Sequence, residues 1–229
     1  MELRLAHCKS LHLACNRYVR YRMKRQTWRR WLTLLAGLAV FGAGLALIVR
    51  ADLGLGPWDV LHQGLSRRTG VPIGTVSIPV GLLILLAWLP LGERPGWGTL
   101  LNVIMVGLVL DGMLLVLPEL GNAAAQVALL IAGIVVTGIG SGLYLSAQIG
   151  AGPRDGLMLG LARKTGWSIR MVRTLIELSA LVVGWLLGGK VGIGTLAFAF
   201  GIGPVVQVAL RMFDRPAVAE ERPMAAATR

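Results

Sequence analysis

Long apolar blocks alternate with short polar segments along the whole chain. Six of these blocks approach the ~20 residues that an α-helix needs to cross the hydrocarbon core of a bilayer. They cover about residues 31–49, 71–91, 96–117, 123–147, 169–187 and 192–213. The pattern predicts an all-α membrane protein, a polytopic helical bundle of about six spans.

A short segment with a different pattern follows the first and the fourth apolar block. In its first copy, Gly56 and Pro57 predict a helix start, and Asp59 complements the positive end of the helix dipole. The basic residues before Gly70 predict the helix end. About 12 residues at 1.5 Å each span roughly 18 Å, which is too short to cross a membrane. We expect a re-entrant or an interfacial helix, and the sequence leaves both open.

The whole pattern occurs twice, with an offset of 96 residues that takes Gly54 to Gly150. Glycines, prolines, aspartates and threonines match in one register, which chance similarity between apolar segments would not produce. The matches are Gly54, Gly56, Pro57, Asp59, Gly98 and Thr99 in the first copy, and Gly150, Gly152, Pro153, Asp155, Gly194 and Thr195 in the second. The sequence therefore predicts two three-span repeats, residues 31–118 and 122–213.

Three crossings per repeat is an odd number, so the second repeat is predicted to enter the membrane upside down. Such inverted repeats are the plan of many secondary transporters. A basic leader, residues 1–30, predicts that the N-terminus stays in the cytoplasm, and the even number of spans returns the C-terminus there. We expect the leader and the tail, residues 214–229, to be disordered. The true start of the chain is Met1 or Met23.

Composition agrees with a membrane protein and limits the function classes. Of 229 residues, 55% are hydrophobic and 15% are charged, which is too little charge to cover a soluble domain. Much of the net charge of +12 lies in the leader, so it favours membrane orientation and argues against nucleic-acid binding. Cys8 and Cys15 lie in the same leader with no metal-finger spacing. We therefore predict no disulfide, no metal site and no cofactor, and the lipid bilayer as the main partner.

The repeated G-x-G-P-x-D-x-L-x-x-G-L motif, followed by [RK]-T-G and a later G-x-G-T, resembles the YczE/YitT group of bacterial membrane proteins. The resemblance covers about residues 31–213, and the matched residues given above carry it. It implies the architecture already described and a location in the bacterial cytoplasmic membrane. It implies no settled chemistry.

The two motif aspartates are the first candidates for a binding site. Asp59 and Asp155 would form a symmetric carboxylate pair between the repeats, where transporters place sites for cations, protons or amines. A first-turn aspartate also stabilises a helix start without any ligand, and this structural role is somewhat favoured. Beside them, Arg154 stands where the first copy has Trp58. The turn residues Gly54, Gly56, Pro57, Gly150, Gly152 and Pro153 are candidates too, because free N–H groups at these helix starts could face an anion. The aspartates already occupy the positive helix ends, so a purely turn-forming role is favoured for these residues.

Polar residues in the third span of each repeat complete the candidate site. Asp111 lies inside a predicted span, where an unpaired carboxylate is costly, although it could reach water near the helix end. Gln207 occupies the equivalent place. Asn102, Thr99 and Thr195 are candidates for the site or for hydrogen bonds between spans.

Three other features have simple structural explanations. His62 is expected on the solvated side of the short helix. Arg173 and Glu177 stand four residues apart, so an ion pair on one helix face is expected. The spacing Gly138-x-x-x-Gly142 allows close helix packing and leaves a homodimer open.

Two function classes remain after these steps. The repeat and the short broken segments favour a small secondary transporter of an unidentified solute, with or without a coupling ion. The alternative is a non-transporting membrane scaffold or accessory partner, in which the repeat serves packing alone. No enzyme is predicted, because the sequence contains no G-x-S-x-G, H-E-x-x-H or phosphate-binding loop.

Overall fold

The computed structural model describes residues 28–93, 95–150 and 152–213, and within them the chain is all-helical. The predicted leader up to residue 27, with Cys8 and Cys15, and the predicted tail lie outside the described residues. The helices are α1 (Trp28–Ala51), α2 (Pro57–Thr69), α3 (Ile73–Trp88), α4 (Trp97–Val116), α5 (Ala123–Ser146), α6 (Pro153–Thr165), α7 (Ile169–Leu186) and α8 (Ile193–Phe213). A 3-10 turn, Leu89–Leu91, extends α3. The prediction of an all-α bundle is confirmed.

Five helices in the described part of the chain are long and apolar enough to cross a membrane: α1, α3 with its 3-10 turn, α4, α5 and α8. The sixth predicted span, 169–187, is a helix but does not join this group. Arg170, Arg173 and Glu177 place three charges in the 18 residues of α7, more than an apolar span of that length carries. The composition of the helices therefore gives five candidate spans, not six.

The two short helices begin and end where the sequence predicts. In α2, Gly56 precedes Pro57 at the first helical position, and Gly70 ends the helix with a left-handed φ of 75°. In α6, Gly152 and Gly166 hold the same places, with φ of 73° at the end. Each helix has 13 residues, a length of about 20 Å, so neither is long enough to cross the bilayer.

Helices α1 and α5 pack at the centre of the bundle and run antiparallel. Glycines on each helix lie so close to the other that an added Cβ would clash with its backbone or side chain. The facing pairs are Gly37 with Tyr144, Phe41 with Gly140, Gly44 with Thr137, and Ile48 with Gly133. Residue numbers rise along one helix as they fall along the other, which defines the antiparallel direction. Small residues allow this close approach in a lipid environment.

Each short helix packs against a long helix from the other half of the chain. Helix α2 packs on α7, where an added Cβ at Gly184 would lie 2.6 Å from the Cα of Leu61. Helix α6 packs on α3, where Trp88 Nε1 donates a hydrogen bond of 2.9 Å to the carbonyl of Pro153. Each half therefore packs its short helix against a long helix of the other half, an arrangement called the exchange of short helices below.

The turns that lead into α2 and α6, called elbows below, begin at Asp52 and Gln148 with the same backbone geometry. Asp52 and Gln148, 96 positions apart, are the non-glycine residues with positive φ in the described chain, at 53° and 54°. After the first elbow, the carbonyl of Leu53 accepts a hydrogen bond of 2.8 Å from the N–H of Gly194 at the start of α8. These contacts bring the start of each short helix toward the other half of the molecule.

Candidate functional site

The first turns of α2 and α6 meet at a cavity of about 300 Å³ that all eight helices line. The lining residues are Phe41, Leu45, Pro57, Trp58, Asp59, His62, Ser77, Ile84, Asn102, Val103, Val106, Leu110, Ser141, Tyr144, Leu145, Gly152, Pro153, Arg154, Asp155, Met158, Arg173, Glu177, Phe198, Ala199, Ile202 and Val206. Both motif aspartates are among them. The sequence predicted that the motif turns share a site, and the structure brings them to one cavity.

Most of the cavity wall consists of equivalent positions from the two halves, 96 residues apart. Examples are Pro57 with Pro153, Asp59 with Asp155, and Asn102 with Phe198. Within this wall, proline and aspartate are the residue types that both halves keep at equivalent positions. The other pairs differ in residue type. The two halves therefore contribute equivalent backbone positions to the cavity wall but mostly different side chains.

The side chains of Trp58 and Arg154 contact each other although they occupy equivalent positions. The guanidinium carbon of Arg154 lies 5.4 Å from the centre of the Trp58 ring, a cation–π geometry. Contact between two equivalent residues shows that the starts of α2 and α6 meet at this point of the cavity. The unlike residues make the contact favourable, since two arginines there would repel each other.

Asp59 is buried, with 5% of its surface exposed, and lines the cavity. No hydrogen bond within the described part of the chain reaches its carboxylate, although Oδ2 lies near the helix start, 3.2 Å from where an added Cβ of Gly56 would be. Its nearest basic group is His62, whose Nδ1 lies 3.8 Å from Oδ1. The prediction that His62 is solvated was wrong. It is 7% exposed, because the face of α2 that carries it is covered by the rest of the bundle.

Asp155 differs from Asp59 in its surroundings. It is exposed at the cavity, and the N–H of Gly152 donates a hydrogen bond to its carboxylate, as expected for a first-turn aspartate. The surrounding protein nevertheless removes enough water to raise the pKa of this carboxyl, while Arg154 and Arg173 lower it. The two equivalent carboxylates therefore have different environments.

The ion pair expected in α7 is present at the cavity. Arg173 Nε donates to Glu177 Oε1 at 3.0 Å, which confirms the prediction of a local pair. Both residues also line the cavity, which the sequence did not indicate. The pair therefore borders the cavity, with 61% of the Arg173 side chain exposed.

Several predicted site residues pack the elbows and do not line the cavity. An added Cβ at Gly54, which has φ of +113°, would meet Gly192, just before α8, and Thr195 in its first turn. Gly150 makes the equivalent approach to Thr99 of α4, and Gly56 lies against Phe198. Thr195 Oγ1 accepts a hydrogen bond of 3.2 Å from the N–H of Gly192. The G-x-G motif of each half thus packs on the G-x-G-T motif of the other.

Asp111 also lies outside the cavity, and its carboxylate caps the start of α3. It accepts hydrogen bonds from the N–H of Gly74 at 2.7 Å, the N–H of Thr75 at 2.6 Å and the hydroxyl of Thr75 at 2.7 Å. These are N–H groups that a helix start otherwise leaves unpaired. Gln207, its equivalent, is exposed and is not part of the cavity wall. The structure gives Asp111 a structural role that its position in a span did not reveal.

Replacing Asp111 with asparagine should lower stability without changing ligand binding. The amide NH₂ would then face either the N–H of Gly74 or that of Thr75, and the loss should be about 1–3 kcal/mol. Thermal unfolding of the purified protein measures this, with Gln207→Ala as the control in the equivalent, exposed place. A melting temperature unchanged by Asp111→Asn would refute the capping role.

Several lining residues were missed because they belong to no repeated motif. Phe41 and Tyr144 lie within the first spans of the two halves, and their rings form an edge-to-face pair with centres 5.8 Å apart. Their sequence surroundings are uniformly apolar, so helical periodicity did not distinguish cavity from lipid. The glycines opposite them were the available signal, because close packing of α1 on α5 sets which face turns inward.

A family of unknown function, DUF6198, matches residues 28–211. The chain belongs to this DUF6198 family. An uncharacterized protein of Haemophilus influenzae is 42% identical over 182 residues, which cover 80% of this chain and 84% of the relative. The uncharacterized membrane protein YczE of Bacillus subtilis is 36% identical over 191 residues, covering 82% and 88%.

The DUF6198 match covers α1 to α7 and α8 up to residue 211. The uncharacterized protein YyaS of Bacillus subtilis is a more distant relative, 25% identical over 190 residues, which cover 81% of this chain and 94% of YyaS. No solved structure matches the chain. The relationship to a membrane protein and the five apolar helices identify this DUF6198 chain as a multi-pass integral membrane protein.

Proposed function

We propose that the protein is a small secondary transporter, in which two inverted repeats move a small solute through the central cavity. One observation carries the proposal: the first turns of α2 and α6, one from each half, line the same cavity with equivalent aspartates. Binding sites of secondary transporters lie at the interface between repeats and are formed by short or broken helices.

The packing of α1 on α5 supports the inverted arrangement. These helices are equivalent in the two halves and run antiparallel, so the axis that relates them is perpendicular to both. If α1 crosses the membrane, that axis lies in the membrane plane, and one half is upside down relative to the other. The contact between Trp58 and Arg154 fits an axis that passes through the cavity.

The inverted arrangement requires α7 as a sixth crossing. Its 18 residues give about 27 Å, close to the thickness of the hydrocarbon core. Two of its charged residues, Arg173 and Glu177, pair with each other at the cavity and so need not face lipid. Helices α2 and α6 would then be re-entrant, and the basic leader would hold the N-terminus in the cytoplasm.

The unequal exposure of the two aspartates fits a transporter that is open toward one side. Asp155 is exposed while Asp59 is buried, although their positions are equivalent. In alternating access the two repeats exchange conformations, so the opposite state would expose Asp59 and bury Asp155. The exchanged short helices would couple movement of one half to the other.

Flux measurement in liposomes tests the transport proposal. The purified full-length protein would be reconstituted, and small cations, anions, zwitterions and neutral solutes would be screened for protein-dependent uptake against protein-free liposomes. We expect saturable flux of at least one class. Absence of flux in every class, together with co-purification of one membrane partner, would replace the transporter with the scaffold alternative.

A further inference from the structure

Four aromatic side chains surround the motif aspartates in the cavity. This aromatic wall consists of Phe41, Trp58, Tyr144 and Phe198. The faces of such rings attract cations, and the guanidinium of Arg154 already lies 5.4 Å from the Trp58 ring centre. The wall therefore offers both apolar contact area and a favourable surface for positive charge.

The ionisable side chains of the cavity do not cancel one another. They are the carboxylates Asp59, Asp155 and Glu177, the guanidinium groups of Arg154 and Arg173, and His62. Arg173 and Glu177 neutralise each other as a pair. Three carboxylates stand against two guanidinium groups, so the formal charge of this set is −1, with histidine counted as neutral.

Asp59 is a buried cavity carboxylate whose nearest ionisable neighbour in the described residues is His62. A carboxylate that is 95% buried normally has hydrogen-bond or ion-pair partners, because its desolvation is costly. In the described part of the chain its nearest partner is His62 at 3.8 Å, beyond hydrogen-bond distance. A donor placed in the cavity beside Asp59 would supply the missing bonds.

We propose that the cavity binds a small organic ammonium ion, with its nitrogen at Asp59 and its carbon body against the aromatic wall. The proposal rests on the transporter function above, because this ion would be the transported solute. A volume of about 300 Å³ suits a small organic molecule. It is much larger than a metal ion needs, and the described residues contain no group of three or more His, Cys, Asp or Glu placed to hold one.

Three aromatic probes of similar size separate the effect of charge from that of size. Benzylammonium, benzyl alcohol and benzoate would be titrated into the purified full-length protein by calorimetry. Benzylammonium should bind at least about 10-fold more tightly than benzyl alcohol, and benzoate should bind most weakly. Equal affinities, or preference for benzoate, would overturn the proposal.

Variants locate the bound charge. Asp59→Asn should remove the preference for benzylammonium, whereas Glu119→Gln should keep it, because Glu119 is an equal charge with a 90% exposed side chain away from the cavity. If Asp59→Asn does not fold, Phe198→Leu serves instead and should weaken benzylammonium binding about 5-fold. Wild-type preference in a folded Asp59→Asn variant, or wild-type affinity for benzylammonium in a folded Phe198→Leu variant, would contradict the site.

The binding and flux results distinguish the two proposals. Benzylammonium binding without flux would support the ligand class and remove the transport function. Flux of an anion or a neutral solute, without benzylammonium binding, would support transport and overturn the ligand class.

Discussion

Asp59→Asn should lower the initial rate of transport by the reconstituted protein on the order of 100-fold, or about 2.7 kcal/mol. The carboxylate of Asp59 is buried at the cavity without a hydrogen bond, so the solute is its main source of compensation. The measurement is the flux assay described above, at a solute concentration below half-saturation. Folding of the variant is checked by its melting temperature.

Two further variants sharpen this result. Glu119→Gln removes the same charge at an exposed position and should leave the rate unchanged. Asp155→Asn should reduce transport less than Asp59→Asn, because Asp155 is exposed and lies near Arg154 and Arg173. A wild-type rate for Asp59→Asn would exclude the carboxylate from the transport step.

Gly184→Val should disrupt the exchange of short helices between the two halves. An added Cβ at Gly184 would overlap the backbone of α2, at 2.6 Å from both the Cα of Leu61 and the carbonyl carbon of Val60. Backbone cannot move aside as a flexible side chain can, so the cost should reach about 3 kcal/mol. For a chain of this length the melting temperature should fall by about 6–12 °C.

Gly203→Val is the matched control for this prediction. Gly203 lies in α8, and an added Cβ there would meet no atom within 4 Å. Its melting temperature should stay close to that of the wild type. If both valine variants melt at the same temperature, the packing of α2 on α7 contributes little to stability.

The sequence predicts the helices and the motif elbows well, because their signals are local. Pro57 and Gly70 mark the ends of α2 by backbone chemistry alone, and the equivalent residues do so for α6. The repeat adds that both aspartates occupy the same place in their helices. Their meeting at one cavity follows from the duplicated plan.

The remaining features depend on contacts between distant segments. His62 was expected in solvent because a 13-residue helix alone does not show which face α7 and the other helices cover. The cap of α3 by Asp111 joins residues 37 positions apart, and no local pattern indicates it. The sequence likewise treated 169–187 as an apolar span, although the charged face of α7 turns to the cavity.

The sidedness of Thr69 and Thr165 tests the inverted arrangement most directly. These threonines are equivalent, exposed, and end the two short helices. Each would be changed to cysteine in a chain carrying Cys8→Ser and Cys15→Ser, and labelled in cells with a membrane-impermeant maleimide. We predict that Thr69→Cys reacts in intact cells and that Thr165→Cys reacts only after permeabilisation. Labelling of both from the same side would contradict the inverted repeat.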